Sequence, residues 1–471
     1  MNESTRSFEA PGQEKNILFR MLNRWLGSEL FPWQKIFSML LPLMLDGLFV
    51  FMIGMLTNAM VSTSGADSFA AVNLVSPLYM MIYSVYNAIS AGGTVVVARF
   101  QGAREYDRVN DTAGQLLLAT PLSALVAGTL MIVFSRQLLE VMFTGTSEAV
   151  LVKAQHYLIG ISISMFFLAV YMGAFAVFRG LGETKKCLVL TILINVLHLC
   201  ASFVFINLMH LDIMGTALSL NLARAVGALA AVGMLLRSRG NLNVRWRSIF
   251  QIDKPILKEV FRIGIPFGVE SLCMNAGTML VQIFVARLGD DYVYINGTCN
   301  SILSLLYAAP MGVSNLAVTV VGQCVGAGRK DLAKRYGKNL VHLGTVLVAV
   351  SLAIFLPLVP VILWLFHAPE GLQGDIYRLI YLAAVMLLLF WSASNNMPSV
   401  MRAAGDAAFS SYFSLATMWV IRVGMGYAAT RALGLAGLWL CMGLEWAVRS
   451  LVFWLRYRGD VWLRYASGGA K

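Results

Sequence analysis

Long apolar segments dominate this sequence of 471 residues. A helix needs roughly 20 mainly apolar residues to cross the hydrocarbon core of a bilayer, and about twelve segments here reach that length. Charged residues make up 13% of the chain, whereas soluble domains carry roughly 25%. These features exclude a soluble enzyme, a DNA-binding protein and a disordered chain. They predict an all-α integral membrane protein with twelve transmembrane helices.

Prolines inside the predicted spans do not contradict this interpretation. Neighbouring helices and water satisfy the carbonyls that a proline frees, so a membrane bundle tolerates kinked helices. Pro42, Pro266, Pro357 and Pro360 are examples. The predicted spans are residues 34–61, 68–98, 112–134, 150–178, 187–208, 215–236, 260–286, 294–321, 338–366, 374–401, 407–430 and 434–455.

The distribution of positive residues predicts the orientation of the chain. Most of the 36 Lys and Arg residues lie in the two terminal segments and in the connections that follow even-numbered spans. Such residues mark the cytoplasmic side, so we expect both termini there, in a multi-pass protein of a bacterial-type inner membrane. The net charge of +12 is then a topological signal that meets anionic membrane lipid, and we expect no nucleic-acid partner.

The two halves of the sequence repeat each other without gaps over long stretches. Each copy contains six helices. Because six is an even number, both copies start on the same side of the membrane, and we expect two parallel six-helix repeats around a central cleft. Two such lobes are typical of transporters that work by alternating access. At offsets of 224 and then 223 residues, the aligned pairs include Pro42 with Pro266, Asp46 with Glu270, Gly102 with Gly326, and Arg179 with Arg402.

The repeat divides the chain into five parts, and we expect it to function as a monomer. The parts are a cytoplasmic N-terminal tail (1–33), an N-lobe with helices 1–6 (34–236), a cytoplasmic linker (237–259), a C-lobe with helices 7–12 (260–457) and a cytoplasmic C-terminal tail (458–471).

Three carboxylates fall well inside the predicted spans: Asp46, Glu270 and Glu445. A charge facing lipid at mid-helix costs about 2.5–3.5 kcal/mol, so each should face the bundle interior. Burial favours the protonated form, which makes Asp46 and its repeat mate Glu270 candidate proton carriers. Na⁺, a cationic substrate or a structural polar partner fits the same position. Glu445 precedes Arg449 by four residues, which predicts an ion pair within one helix.

Other polar side chains also fall inside the spans. Arg224 and Arg422 are possible counter-charges for Asp46 or Glu270, or they extend to the membrane surface. Several amides either join helices or together line a cavity. They are Asn58, Asn195, Asn275, Asn300, Asn395 and Asn396. The sequence contains no catalytic cluster, nucleotide motif or metal-ligand spacing, so we expect no enzyme activity and no cofactor.

Short motifs recur in register in both halves. A Gly-Ala pair near charged residues follows spans 2 and 8, and an Arg-x-x-Gly-acidic turn follows spans 4 and 10. They occupy residues 102–105, 322–328, 179–183 and 402–406. Together with the segment 264–271, this set resembles the multidrug and toxic compound extrusion (MATE) family over about residues 34–457. The resemblance implies a secondary antiporter that moves H⁺ or Na⁺ inward and an organic, often cationic and aromatic, compound outward.

The resemblance also identifies where this chain departs from the family. Many members carry an acidic residue at the position of Thr57, and an acidic residue at the position of Leu199, four residues after Asn195. Asp46 lies eleven residues before Thr57, close to three helical turns, hence on the same helix face. We expect Asp46 to take over the coupling role together with Glu270.

The expected cleft therefore combines these two carboxylates with Thr57, Asn58, Asn195, Asn275 and Asn395. The alternatives are a lipid-linked oligosaccharide flippase of the same superfamily and an exporter of an endogenous metabolite. A flippase cleft is usually strongly cationic, and only Arg224 and Arg422 are candidates here. The sequence specifies neither the substrate nor the choice between H⁺ and Na⁺.

Overall fold

A computed structural model describes residues 17–62, 66–142, 147–238, 244, 246–366 and 368–467. The first ten crossing helices are α1 (Trp33–Ser62), α2 (Ala66–Ala103), α3 (Tyr106–Val133), α4 (Glu148–Leu181), α5 (Thr184–Ser202, continued by the π-helical Phe203–Leu208), α6 (Asp212–Leu236), α7 (Lys254–Ala286), α8 (Asp290–Gly326), α9 (Lys330–Phe355) and α10 (Glu370–Met386, π-helical Leu387–Trp391 and Ser392–Ala403). Shorter helices are Ile17–Leu26, Ser135–Met142, Trp246–Phe250, Val359–Leu365 and the 3₁₀ segment Val461–Ser467.

The last two crossings, α11 and α12, share one continuous segment, Ala407–Arg458. Its α-helical Ala407–Thr417 and π-helical Met418–Met425 lead into Gly426–Arg458, which breaks at Gly434. Gly434 has φ 61° and ψ −147°, a conformation that glycine tolerates and other residues do not.

Contacts on both sides of Gly434 show that the segment folds back on itself. Arg422 pairs with Glu445 at 2.6 Å, and the rings of Phe413 and Phe453 lie 5.6 Å apart. In the part of the chain that the structure describes, eleven segments are long and apolar enough to cross a membrane, and the last of them crosses twice. The predicted all-α fold with twelve spanning helices is confirmed.

The ninth predicted span, 338–366, is wrong as a single helix. The helix α9 ends at Phe355, and the short helix Val359–Leu365 follows after a turn. Pro357 lies in that turn and Pro360 in the first helical turn after it. Proline lacks the N–H that a helix interior requires but fits the first turn, where that N–H would have no partner.

The helix α1 connects the two lobes. Its first turns bury Ile36 and Leu40 in an apolar cluster with Leu316 and Val320 of α8. Lipid is as apolar as these side chains, so close packing rather than escape from water holds the helices together. Farther along, α1 packs against α5, so it contacts helices of both repeats.

The segment before α1 packs against the C-lobe. Leu26 is fully buried, and its carbonyl oxygen lies 2.9 Å from the Tyr336 hydroxyl of α9. The same hydroxyl lies 2.7 Å from Ser28 Oγ. The described part of the predicted N-terminal tail is therefore an ordered arm on the C-lobe.

The lobes meet most closely through two glycines that are repeat mates. A side chain on Gly102 of α2 would overlap the carbonyl oxygen of Gln323 in α8, and one on Gly326 would overlap that of Arg99. Glycine permits this direct contact between backbones because it has no Cβ. Both contacts lie at the face of the bundle where α1 begins and α12 ends, which we call the terminal face.

Candidate functional site

Asp46 lies near the middle of α1, half-buried inside the N-lobe. The hydroxyl of Thr191 on α5 lies beside its carboxyl group. The positively charged Arg179 guanidinium of α4 interacts electrostatically with the same carboxyl group. The Asp46 Oδ1 atom is buried and has no hydrogen-bond partner among the described residues. Asp46 therefore offers an oxygen atom that can accept a proton or contact a cation.

Glu270, the repeat mate of Asp46, is buried in α7 and is already paired. Its Oε2 lies 3.5 Å from Nη1 of Arg402 on α10. Arg402 also donates to Ser399 Oγ at 2.9 Å and lies 4.5 Å from the ring centre of Phe267. The charge of Glu270 is thus balanced within the C-lobe.

Neither of the possible counter-charges, Arg224 and Arg422, pairs with Asp46 or Glu270 within the described residues. Arg422 pairs with Glu445, and the partner of Glu270 is Arg402. Arg224 donates to two hydroxyl groups and pairs with no carboxylate in the part of the chain described. The spacing of residues along one helix does not indicate which side chain of another helix packs against it. These partners could therefore be identified only from the three-dimensional structure.

The predicted ion pair within α12 is confirmed. Arg449 Nη1 lies 3.3 Å from Glu445 Oε1, and Arg422 Nε lies 2.6 Å from Oε2. The Glu445 side chain has no exposed surface. One carboxylate therefore pairs with two arginines inside the C-lobe.

A histidine network occupies the position where the family pattern has an acidic residue. Thr57 Oγ1 lies 3.3 Å from Nε2 of the buried His198 on α5. The Nδ1 atom of His198 lies 3.0 Å from Ser219 Oγ on α6 and 3.4 Å from Ser202 Oγ. His198 did not stand out as a site residue in the sequence, because no second histidine lies at ligand spacing from it. Its position directly before Leu199 was the signal that identifies it.

The amides form separate hydrogen bonds. Asn195 and Asn395 each donate to a carbonyl of their own helix, at 2.9 and 3.0 Å, and so does Asn300 at 2.8 Å. Asn275 of α7 donates to Ser84 Oγ of α2 at 3.2 Å and joins the lobes. The side chain of Asn58 lies outside the described residues.

Several hydrogen bonds close the lobes at the terminal face. Arg179 Nη1 donates to Asn315 Oδ1 of α8 at 3.2 Å, and Thr319 Oγ1 donates to the Arg179 carbonyl at 2.8 Å. Arg99 of α2 pairs with Glu259 of α7 at 3.2 Å.

The inter-lobe bond farther from this face is the one that Asn275 of α7 donates to Ser84 Oγ of α2. The hydrogen bonds and the close backbone contacts of Gly102 and Gly326 therefore hold the lobes closed at the terminal face.

Comparison with known proteins connects this geometry to a family. The MatE family model matches residues 42–204 and 266–428. The two matches begin at 42 and 266, which is the offset of 224 that aligns the repeats.

Curated relatives match along nearly their whole length. The uncharacterized transporter YisQ of Bacillus subtilis is 26% identical over 439 residues, which cover 91% of this chain and 95% of YisQ. The probable multidrug resistance protein YoeA of the same organism is 22% identical over 437 residues, covering 90% and 93%.

A solved structure shares the fold. It is described as the outward-facing conformation of a multidrug resistance MATE family transporter, and it superposes with a TM-score of 0.83 at 18% identity, covering 92% of this chain and 96% of that one. The match of the family model to both repeats, over more than half of the chain, shows that this protein belongs to the MatE family of multidrug-type membrane transporters.

Proposed function

We propose that this transporter is an antiporter that exports organic compounds, cationic or aromatic in character, in exchange for H⁺ carried by Asp46. The observation that supports this most directly is the buried, unpartnered Oδ1 of Asp46 beside the Thr191 hydroxyl. A proton needs one carboxyl oxygen, whereas metal cations such as Na⁺ are held by several oxygen ligands. The multidrug resistance named for YoeA supports the class of substrate.

A single carboxylate accounts for exchange. Ionised Asp46 attracts a cationic compound, and protonation removes that attraction, so the two ligands compete for one group. Competition within a protein that alternates its access couples the exit of one ligand to the entry of the other. Glu270 is less suited to this role, because Arg402 already stabilises its charged form.

The proposed orientation places the terminal face in the cytoplasm of a bacterial-type inner membrane, with both termini inside. Its support is the concentration of Lys and Arg residues at that face. In this orientation the lobes are closed on the cytoplasmic side, and the similar solved structure is named as outward-facing. The flippase alternative is not proposed, because Arg422 and Arg402 are held in ion pairs with Glu445 and Glu270.

The test is ethidium uptake into everted membrane vesicles with an acidic interior. We expect wild-type vesicles to accumulate the dye, and Asp46→Asn vesicles to fall to the rate of vesicles without the protein, because asparagine does not exchange a proton. Glu270→Gln should retain the response to the pH gradient per molecule of protein while lowering its yield, because Arg402 then loses its counter-charge.

Two results contradict the proposal. Full gradient-driven uptake by Asp46→Asn overturns the role of this carboxylate. Uptake by the wild type that follows a Na⁺ gradient at equal pH on both sides overturns the choice of H⁺. Immunoblots of the same vesicles correct each rate for the amount of protein.

A further inference from the structure

The two repeats contain the same acid–arginine pair in different states. In the C-lobe, Glu270 and Arg402 are 3.5 Å apart, and the Arg402 guanidinium lies 4.5 Å from the ring centre of Phe267. The repeat mates in the N-lobe are Asp46 and Arg179. The Arg179 guanidinium lies over a ring of its own helix, 4.6 Å from the ring centre of Phe175.

The N-lobe pair is not formed. Arg179 Nη1 instead donates across the lobe interface to Asn315 Oδ1 at 3.2 Å. Arg179 Nε and Asp46 Oδ1 are both buried, and neither has a hydrogen-bond partner among the residues described. Leaving buried polar atoms unpaired costs about 1–3 kcal/mol each, more when they are charged. Two complementary atoms of side chains that interact electrostatically thus remain unsatisfied in this conformation.

We propose that Arg179 is a switch residue with two alternative partners: Asn315 when the lobes are closed at the terminal face, and Asp46 when they separate there. Asn315 is neutral, and charge-assisted hydrogen bonds are roughly twice as strong as neutral ones. Ionised Asp46 therefore competes with Asn315 for Arg179, and protonated Asp46 does not. The inference rests on the proposed function. It specifies how protonation of Asp46 controls the opening of the lobes at the terminal face.

The surroundings of Asp46 leave Arg179 as the group that senses its charge. The titratable side chains that interact with the carboxyl group are Tyr83 of α2, Tyr171 and Arg179 of α4 and Cys187 of α5. Of these, only Arg179 is ionised near neutral pH, because tyrosine and cysteine lose their protons at higher pH. Within the described residues, a change of charge on Asp46 therefore acts first on Arg179.

The direction of the coupling follows from linkage. A conformation in which Asp46 is paired with Arg179 stabilises the carboxylate and binds a proton less tightly. The conformation described here, in which Arg179 is bonded to Asn315, binds a proton more tightly. Since a ligand favours the state that binds it better, low pH favours closure at the terminal face and high pH favours opening there.

The experiment measures the distance between the lobes at the terminal face. Genetically encoded spin labels replace Lys185 and Lys338, both exposed, in the full chain in lipid nanodiscs. We expect the long-distance population of the otherwise wild-type protein to rise with pH. Asp46→Asn should keep the short distance at every pH, because Arg179 has lost its second partner.

Changing the other partner should have the opposite effect. Asn315→Ala should raise the long-distance population about tenfold, since one hydrogen bond to a charged group is worth about 1.5–3 kcal/mol. Asn315→Asp should hold the short distance by pairing with Arg179. Ser301→Ala is the matched control on the same helix, because Ser301 donates only to the Gly297 carbonyl of α8, and it should follow the wild-type distribution.

The proposal is overturned if the pH response persists in Asp46→Asn, or if Asn315→Ala and Asp46→Asn shift the distance in the same direction. The measurement requires neither substrate nor gradient, so its result is separate from the transport assay. A wild-type protein that exchanges no H⁺ but shows the opposing shifts retains the switch and loses the proposed function. One that exchanges H⁺ without the shifts retains the function and loses the switch.

Discussion

Replacing Glu445 by glutamine is expected to destabilise this protein more than any other single change of charge inside the described helices. The Glu445 side chain has no exposed surface, and it lies 2.6 Å from Arg422 Nε and 3.3 Å from Arg449 Nη1. Removing one partner of a buried ion pair costs about 3–5 kcal/mol, because an uncompensated charge stays buried. Here a single substitution leaves two cations without a counter-charge.

Thermal unfolding in detergent, followed by size-exclusion chromatography, measures this effect. Glu445→Gln should lower the melting temperature and the yield sharply, and adding Arg422→Gln should recover part of the loss because one cation is removed with its partner. Asp375→Asn is the control, since Asp375 and Arg378 form an exposed pair at 3.2 Å, and such pairs contribute about 0–1 kcal/mol. A Glu445→Gln melting temperature equal to that of the control contradicts the prediction.

The internal duplication made part of the site predictable from one sequence. The repeat aligned Asp46 with Glu270 and Arg179 with Arg402. The structure places the two C-lobe residues, Glu270 and Arg402, in contact. The contact itself was not predictable, because it joins α7 to α10 and depends on how those helices pack. For the same reason the sequence offered Arg224 and Arg422 as possible counter-charges but did not indicate Arg402.

Some contacts between helices nevertheless have a signal in the sequence. Gly434 is the first residue of the last predicted span, so the chain turns near it. Two residues that lie equally far from Gly434, one before it and one after it, then face each other. Arg422 lies twelve residues before Gly434 and Glu445 eleven after it, which predicts their pairing across an antiparallel hairpin. The position of His198 next to Leu199 was a similar signal for the network with Thr57.

The contact between the repeats at the terminal face leads to the second large effect. A leucine at position 326 in α8 would overlap the Arg99 carbonyl oxygen of α2. The overlap involves backbone on both sides, so it is relieved only if the lobes move apart. About 5.5 kcal/mol is enough to change a 99:1 preference into 1:99, and we expect Gly326→Leu to remove the conformation closed at the terminal face.

Transport should stop as a result, because alternating access requires both conformations. The spin labels at positions 185 and 338 should report only the long distance, at every pH, while melting temperature changes little. Gly297→Leu is the matched control on the same helix, since an added Cβ there meets no atom within 4 Å.

If Gly326→Leu keeps the short distance, the two lobes do not close through this contact. If it loses transport with the wild-type distribution of distances, the loss has another cause. We expect Gly326→Leu to lose both the short distance and transport. That result would show that the closed state requires the direct contact between Gly326 and Arg99, and that the side-chain hydrogen bonds at this face do not replace it.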